Sequence, residues 1–406
     1  MEKKDNHSPF ITLRFRNFRL VWIGLFISSI GSMMQVTAIN WHIYLLTKSA
    51  LSLAMIGLVK IVPIILLAPF TGVLADIHNR RKLILVAQTI MTVCAISLTI
   101  LTYLNIINPL MIYVIIFINA IAMAIDIPAR QSFMPLLLPE KYFANASSLI
   151  NVMWRLSAII GPGIGGLMIA GFNIGSVYLF NAISFLAIIF VLLEIGSVNQ
   201  IYSNRKLSLF SIKEGFSFVF KSPLICSTMF LDFFATFFAS GNVLLPIFAK
   251  DILKVGAQGY GFLSAASAIG GAAAGICLSF MEKIRHQGRL ILVAVIVYGL
   301  ATLFFGLSKL FFLSFVFLAI TGFADVISST IRNTIRQLNT PDYIRGRMSS
   351  VSMIFFYGGP ELGEVEAGVM ASFIGAPISV VIGGVGAIIS TLIIGLVTPK
   401  LTNYDQ

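Results

Sequence analysis

Twelve stretches of this chain are apolar for about the 20 residues that an α-helix needs to cross the hydrocarbon of a bilayer, and nothing else restricts the fold as much. They run approximately from Leu20 to Leu46, Ala54 to Ala75, Leu83 to Leu104, Leu110 to Ile127, Ala144 to Ala170, Ile174 to Ile195, Leu224 to Ala249, Tyr260 to Phe280, Leu290 to Leu307, Phe311 to Ile331, Met348 to Phe373 and Ile378 to Val397. Without water, a backbone N–H or C=O must find its partner inside the segment, and a lone span can do so only as a helix. An all-α membrane protein of twelve transmembrane helices is therefore expected. Apolar residues make up 58% and charged residues 11% of the 406; soluble domains carry about a quarter charged residues, so an ordinary soluble domain is excluded. The N-terminus is polar up to Arg19, and no small-residue cleavage site follows the first run, which reads as a retained span.

The net charge of +12 would suit nucleic acid, but its placement argues for lipid and against a nucleic-acid partner. Of 28 Lys and Arg, 22 fall in the termini and alternate loops that place both termini on one side, 4 fall in the opposite loops, and Lys60 and Arg155 lie inside spans. Cytoplasmic loops are the ones enriched in Lys and Arg, so both termini are expected in the cytoplasm. Cys94, Cys226 and Cys277 each sit within an apolar run without ligand-like spacing, and read as small core residues. No metal or other cofactor is expected. Four histidines and three scattered cysteines supply neither a nucleophile with its base nor a metal cluster, so an enzyme is not expected, and no Walker-type loop points to ATP. A monomer is the expected state.

The longest polar interruption, Gly196 to Pro223, carries Arg205, Lys206, Lys213 and Lys221 opposite an apolar face that includes Phe210, Phe216, Val219 and Phe220. It reads as an interfacial amphipathic linker, giving domains 1–195, 196–223 and 224–406. The outer two repeat one another. Arg130-Gln131 precedes Ala146-Ser147-Ser148-Leu149 as Arg336-Gln337 precedes Met348-Ser349-Ser350-Val351, and Gly359-Pro360 follows Gly161-Pro162 by 198 residues. Two duplicated bundles imply a site at their interface near the middle of the membrane.

Between the second and third runs lies Gly72-Val73-Leu74-Ala75-Asp76-Ile77-His78-Asn79-Arg80-Arg81-Lys82, with an acid and three cations in seven residues. Gly72 lets two helices approach, and Asp76 at a helix end suits a neighbouring helix N-terminus or an arginine. Arg80 and Arg81 hold the turn to the cytoplasmic face. This string resembles the signature of the major facilitator superfamily between its second and third helices, with Ile77 and Asn79 departing from the pattern; Asn79 is expected to tolerate a left-handed turn. In span five, Gly161-Pro162-Gly163-Ile164-Gly165-Gly166 resembles the antiporter signature of superfamily exporters, with Ser157 in place of its first glycine. Asp126-Ile127-Pro128-Ala129-Arg130-Gln131-Ser132 and Arg345-Gly346-Arg347-Met348-Ser349-Ser350 are similar to the branch that includes enterobactin exporters and macrolide efflux proteins. That resemblance implies two six-helix bundles in a bacterial inner membrane, alternating access, and export of a small molecule in exchange for protons, with either a siderophore or a drug as cargo.

Ionisable groups inside a membrane are costly unless paired or facing water, which makes each one a candidate. Glu361 and Glu364 are neighbours on span eleven, and Glu366 is rotated about 140° from Glu361. Two adjacent carboxylates in low dielectric cannot both ionise cheaply, so the three glutamates are proton-carrier candidates. The resembled fold packs span two on span eleven, which points to a Lys60 pair with Glu361 or Glu364 as a gate or as structural glue. Asp126 lies four residues before Arg130, where a structural bridge and a functional role are both open. Asp232 has no cation nearby in sequence, and Asp325 stands two turns before Arg332; both are proton-coupling candidates. Arg155 reads as a buried cation, for an anionic cargo or for Asp126. Gln35, Asn119, Asn151 and Asn242 offer neutral hydrogen bonds to a solute, although each alone is as well explained as helix glue. A siderophore or similar acidic metabolite is favoured by Arg155 and Lys60, and cationic drugs by the glutamates.

Overall fold

The computed structural model describes residues 10–195, 209–281, 284–341 and 344–405. Twelve long helices follow one another: α1 Arg16–Thr47, α2 Ala50–Ile77, α3 Arg80–Tyr103, α4 Pro109–Phe133, α5 Phe143–Gly171, α6 Ile174–Ile195, α7 Pro223–Phe238, α8 Gly256–Ser279, α9 Gln287–Leu307, α10 Phe311–Leu338, α11 Arg345–Ile374 and α12 Ala376–Val397, with no strand among the described residues. Eleven of these segments are long and apolar enough to cross a membrane. The remaining long helix, α11, runs for 30 residues and carries Glu361, Glu364 and Glu366.

The helix ends differ from the apolar runs in an instructive way. α4 continues to Phe133, past Pro128, and α10 to Leu338, beyond the points at which hydropathy falls. Arg130, Arg332 and Arg336 therefore stand on helices and not in loops, and Arg332 and Arg336 are buried. The seventh run is not one helix. α7 stops at Phe238, and the chain resumes as a 3-10 turn over Asn242–Leu244, one helical turn over Leu245–Ile247 and a π turn over Phe248–Ile252. Gly241 favours a break, and Pro246 has no N–H with which to continue the ladder. The loop before α3 also differs from expectation. Asn79 has φ −64° and serves as the N-cap, its side chain accepting from the Lys82 N–H at 3.1 Å. The side-chain surroundings of Gly72 and Asp76, in the last turns of α2, lie outside the described residues.

The chain divides into two compact units, Met1–Ala38 with Pro63–Leu207, and Ile39–Val62 with Ser208–Gln406. α1 and α2 thus change unit part-way along, α2 doing so at Pro63. In the second unit the linker helix Leu209–Lys221 packs against its neighbours. Val219 is buried with Ile225, Met229, Met348 and Val351, and Glu214 pairs with Arg347 at 2.5 Å. Arg205 and Lys206 lie outside the described residues.

Each unit is drawn together by a glycine seam in which one helix lies directly on another's backbone. In the first, a Cβ on Gly161 of α5 would stand 2.4 Å from Met33 Cβ and 3.0 Å from the Ile30 carbonyl of α1, and one on Gly165 would stand 3.3 Å from Met34 Cα. In the second, a Cβ on Gly359 of α11 would stand 2.3 Å from Thr236 Oγ1 and one on Gly363 2.2 Å from the Phe237 carbonyl of α7. The repeat seen in the sequence is thus a repeat of packing, with small residues providing close approach where lipid gives no hydrophobic drive. Gly163 has nothing within 4 Å of its added Cβ. Gly161→Ala is expected to cost about 1–3 kcal/mol through overpacking, lowering the melting temperature in detergent, while Gly163→Ala, with open space around the added methyl, does not lower it.

Candidate functional site

Among the described residues, buried charge is arranged in three clusters, two of them in the second unit. In the first of these, Lys60 of α2 donates to Glu361 of α11 at 2.6 Å, with side-chain exposures of 26% and 19%. Close approach is possible because Gly57, one turn before Lys60, leaves its missing Cβ only 3.0 Å from the Glu361 carbonyl. Glu364, the next turn of α11, also interacts electrostatically with Lys60. One ammonium thus faces two carboxylates, and the second Glu361 oxygen, Oε2, is buried with no hydrogen-bond partner. Glu366, also half-buried, stands on another side of α11.

Sequence reasoning missed aromatic groups in this unit, of which Tyr260 interacts electrostatically with Glu364. Tyr260 is buried, stacks on Trp41 at 5.3 Å and hydrogen-bonds with Asn40 and Ser264. Tyr44 donates to Asp251 in the π turn. Tyrosine and tryptophan near span ends are common enough that no sequence signal distinguished these.

The second cluster joins α7 to α10. Asp232, which has no cation near it in sequence, accepts from Arg332 at 2.8 Å and lies 3.6 Å from Arg336. Arg332 also faces Asp325 at 3.7 Å and donates to Ser328 at 2.8 Å. Arg336 is held further by Ser352 and Asn333. Asp232 is thus a carboxylate between two guanidiniums, whereas the Asp325 side chain remains 44% exposed.

Asp325 opens into a cavity of about 180 Å³ within the second unit, at the break in α7. Its wall comprises Thr236, Ala239, Ser240, Gly241, Asn242, Ser267, Tyr298, Thr302, Phe305, Leu318, Thr321, Asp325 and Pro360. The Asn242 side chain, expected on a continuous helix, is exposed on the turn beyond the break.

The third cluster is in the first unit. Asp126, fully buried, pairs with Arg130 one turn later and accepts from Gln88 at 3.1 Å; Arg130 lies over the Trp154 ring at 5.6 Å. The alternative partner, Arg155, is exposed and not buried, as is Asn151 one turn before it. Gln35 is buried and accepts from Asn181 at 2.8 Å, joining α1 to α6. Asn119 presents a buried Oδ1 with no hydrogen-bond partner. Arg80 donates to the Ser132 carbonyl at 3.1 Å, and Arg81 to the Leu192 and Leu193 carbonyls at 2.6 and 3.2 Å. Both arginines thus satisfy C-terminal carbonyls of α4 and α6 that the helices leave open.

The family described as transmembrane secretion effector matches residues 7–406. This chain belongs to that family of major facilitator transporters. It is 26% identical over 393 residues to the enterobactin exporter EntS of Escherichia coli K12, covering 96% of this chain and 93% of that one. Its fold is similar to that of a point mutant of the nucleoside transporter NupG (TM-score 0.75, 12% identity, 94% and 99% of the two chains). It is also similar to a bacterial homologue of the lysosomal transporter Spinster, crystallised inward-facing and unoccupied (TM-score 0.73, 16% identity, 96% and 99%). The protein is thus a multi-pass membrane transporter of a small molecule and not an enzyme.

The paired state of Asp232 has a measurable consequence. Asp232→Asn leaves two buried guanidiniums short of a counter-charge, at an expected cost of about 3–5 kcal/mol. The drop in detergent melting temperature should be reduced when Arg332→Met is combined with it.

Proposed function

We propose that this transporter exports a small organic metabolite of the siderophore type from the bacterial cytoplasm, across the inner membrane, in exchange for protons. Full-length similarity to enterobactin exporters supports the direction and the cargo class. The excess of Lys and Arg in the termini and alternate loops supports cytoplasmic termini. In this reading residues 1–195 and 224–406 are the two halves that alternate, 196–223 links them, and a monomer suffices.

The observation that carries the proton reading is the shared ammonium. Lys60 cannot neutralise Glu361 and Glu364 together, so a proton arriving at the pair changes which carboxylate the lysine holds. With Glu361 protonated, the contact between α2 and α11 loses its charge and weakens. Deprotonation restores it, which makes the pair a gate that responds to the gradient. Asp325, half-open to the cavity, is a further proton carrier, and Glu366 a third on α11. Asp232 and Asp126, each held by arginine, serve the frame that positions them. Arg155, Asn151 and Asn119 are the cargo contacts in the first unit; Gln35 supports helix packing. The glycine seam at Gly161, Pro162 and Gly165 gives α5 and α1 a stiff bearing.

A second reading, efflux of basic amphipathic compounds, is favoured by one observation. Lys60, Arg130, Arg332 and Arg336 all face carboxylates, so the cations that suggested an acidic cargo are largely neutralised, whereas Asp325 still faces the cavity.

Proteoliposomes carrying a pH-sensitive dye test the coupling. An imposed acid gradient should dissipate faster with wild-type protein than with Lys60→Met or Glu361→Gln; equal rates in all three would overturn the gate. A deletion strain grown with scarce iron separates the cargo readings. Intracellular accumulation of one chelator is expected, and altered tolerance to basic antibiotics without accumulation would transfer the assignment to efflux.

A further inference from the structure

We infer that the cavity between the last turns of α10 and the first turns of α11 is a binding subsite for a carboxylate head group. The polar part of its wall is Asn333, Arg336 and Gln337 from α10 with Ser349 and Ser352 from α11. Arg336 carries the one formal charge among these residues, and it is positive. Nε donates to the Arg332 carbonyl, Nη1 to Ser352 at 2.7 Å and Nη2 to Asn333 at 2.8 Å. A guanidinium has five N–H donors and no acceptor, so one hydrogen is left on each terminal nitrogen. Asp232 lies 3.6 Å from Nη2 while accepting from Arg332 at 2.8 Å. It offsets charge from beyond hydrogen-bond reach and leaves that hydrogen unspent.

The neighbours of Arg336 are donors as well. Ser352 meets it through its oxygen and Asn333 through Oδ1, so the serine hydrogen and the asparagine amide are left to donate. Among the described residues, the exposed side chains of Gln337 and Ser349 donate to no protein group. Amides and hydroxyls can also accept, but the guanidinium cannot. With no carboxylate on the wall, its charge selects an anionic acceptor over a neutral one.

The internal repeat shows why donors are in surplus here. Arg130 is the counterpart of Arg336, and one turn before it Asp126 supplies a carboxylate from the same helix. One turn before Arg336 the chain has Arg332, a second guanidinium that competes for Asp232. At about 210 Å³ the cavity is smaller than the roughly 300–1,000 Å³ of sites that enclose a drug-sized ligand. Met348, Met353 and Phe356 make the rest of its wall apolar, which suits a carboxylate on an apolar body about the size of benzoate. The phosphate of an anionic lipid offers the same acceptor chemistry.

The assignment rests on the acidic-metabolite reading and gives the acid group of that cargo a place in the second unit. Its test needs neither gradient nor export, so a failed site and a failed export reading are separate results. Purified protein in detergent is titrated with benzoate, with benzamide as its uncharged isostere and with benzylammonium, following the melting temperature. Benzoate alone should stabilise wild-type protein saturably, and equally when phosphatidylglycerol is added to the micelles. Arg336→Met should abolish the effect. Gln337→Leu, at an exposed position, should weaken benzoate by about tenfold, as expected for loss of a hydrogen bond to a charged group, and serves if Arg336→Met fails to fold. Equal stabilisation by benzoate and benzamide, equal affinity in wild type and Gln337→Leu, or no saturable effect of benzoate would each overturn the assignment. Displacement of benzoate by phosphatidylglycerol would overturn it in favour of a lipid head group.

Discussion

Charge removed from water has to be compensated inside the hydrocarbon, and the ratio of one ammonium to two carboxylates at Lys60, Glu361 and Glu364 is where this protein leaves that compensation incomplete. Two other groups of buried ions are closely balanced. Asp126 meets Arg130, and Asp232 with Asp325 meets Arg332 and Arg336. Full pairing gives rigid clusters that fix helix register. Incomplete pairing gives a group whose partner depends on where the next proton resides. The surrounding architecture, from Gly57 at the α2–α11 approach to the seam at Gly359 and Gly363, sets the distances at which that difference matters.

Much of the fold was legible because hydrocarbon is an undemanding solvent to read. A run of apolar residues long enough to span is expected as a helix, and every run but the seventh, which breaks after Phe238, forms one long helix. The repeated Gly-Pro strings also transferred directly into structure, since a residue without a side chain marks where a neighbour's backbone will lie. Glycine was informative at Gly161 and Gly359 for this reason and silent at Gly163, which faces open space.

What stayed hidden was contact over long separations and events inside apolar runs. Asp232 appeared to lack a cation because Arg332 is 100 residues away, on a helix that hydropathy ended one residue too soon. Arg155 was read as buried from its depth along a span, but depth does not say which way a helix face points, and the side chain is exposed. The α7 break was masked because the phenylalanine-rich residues around Ser240, Gly241, Asn242 and Pro246 keep the average hydropathy of the run high. The cavity at the α7 break could not be read at all, because its wall gathers residues far apart in sequence, from Thr236 to Pro360.

α2 belongs to one unit up to Val62 and to the other from Pro63. Proline at that point cannot bond back to the carbonyl of Val59, so the rod carries its own flexure point, one ladder rung short, three residues beyond Lys60. Lys60 and the carboxylates it faces all stand on one side of that point, within the second unit, so the geometry of the ionic cluster is set apart from any bend there.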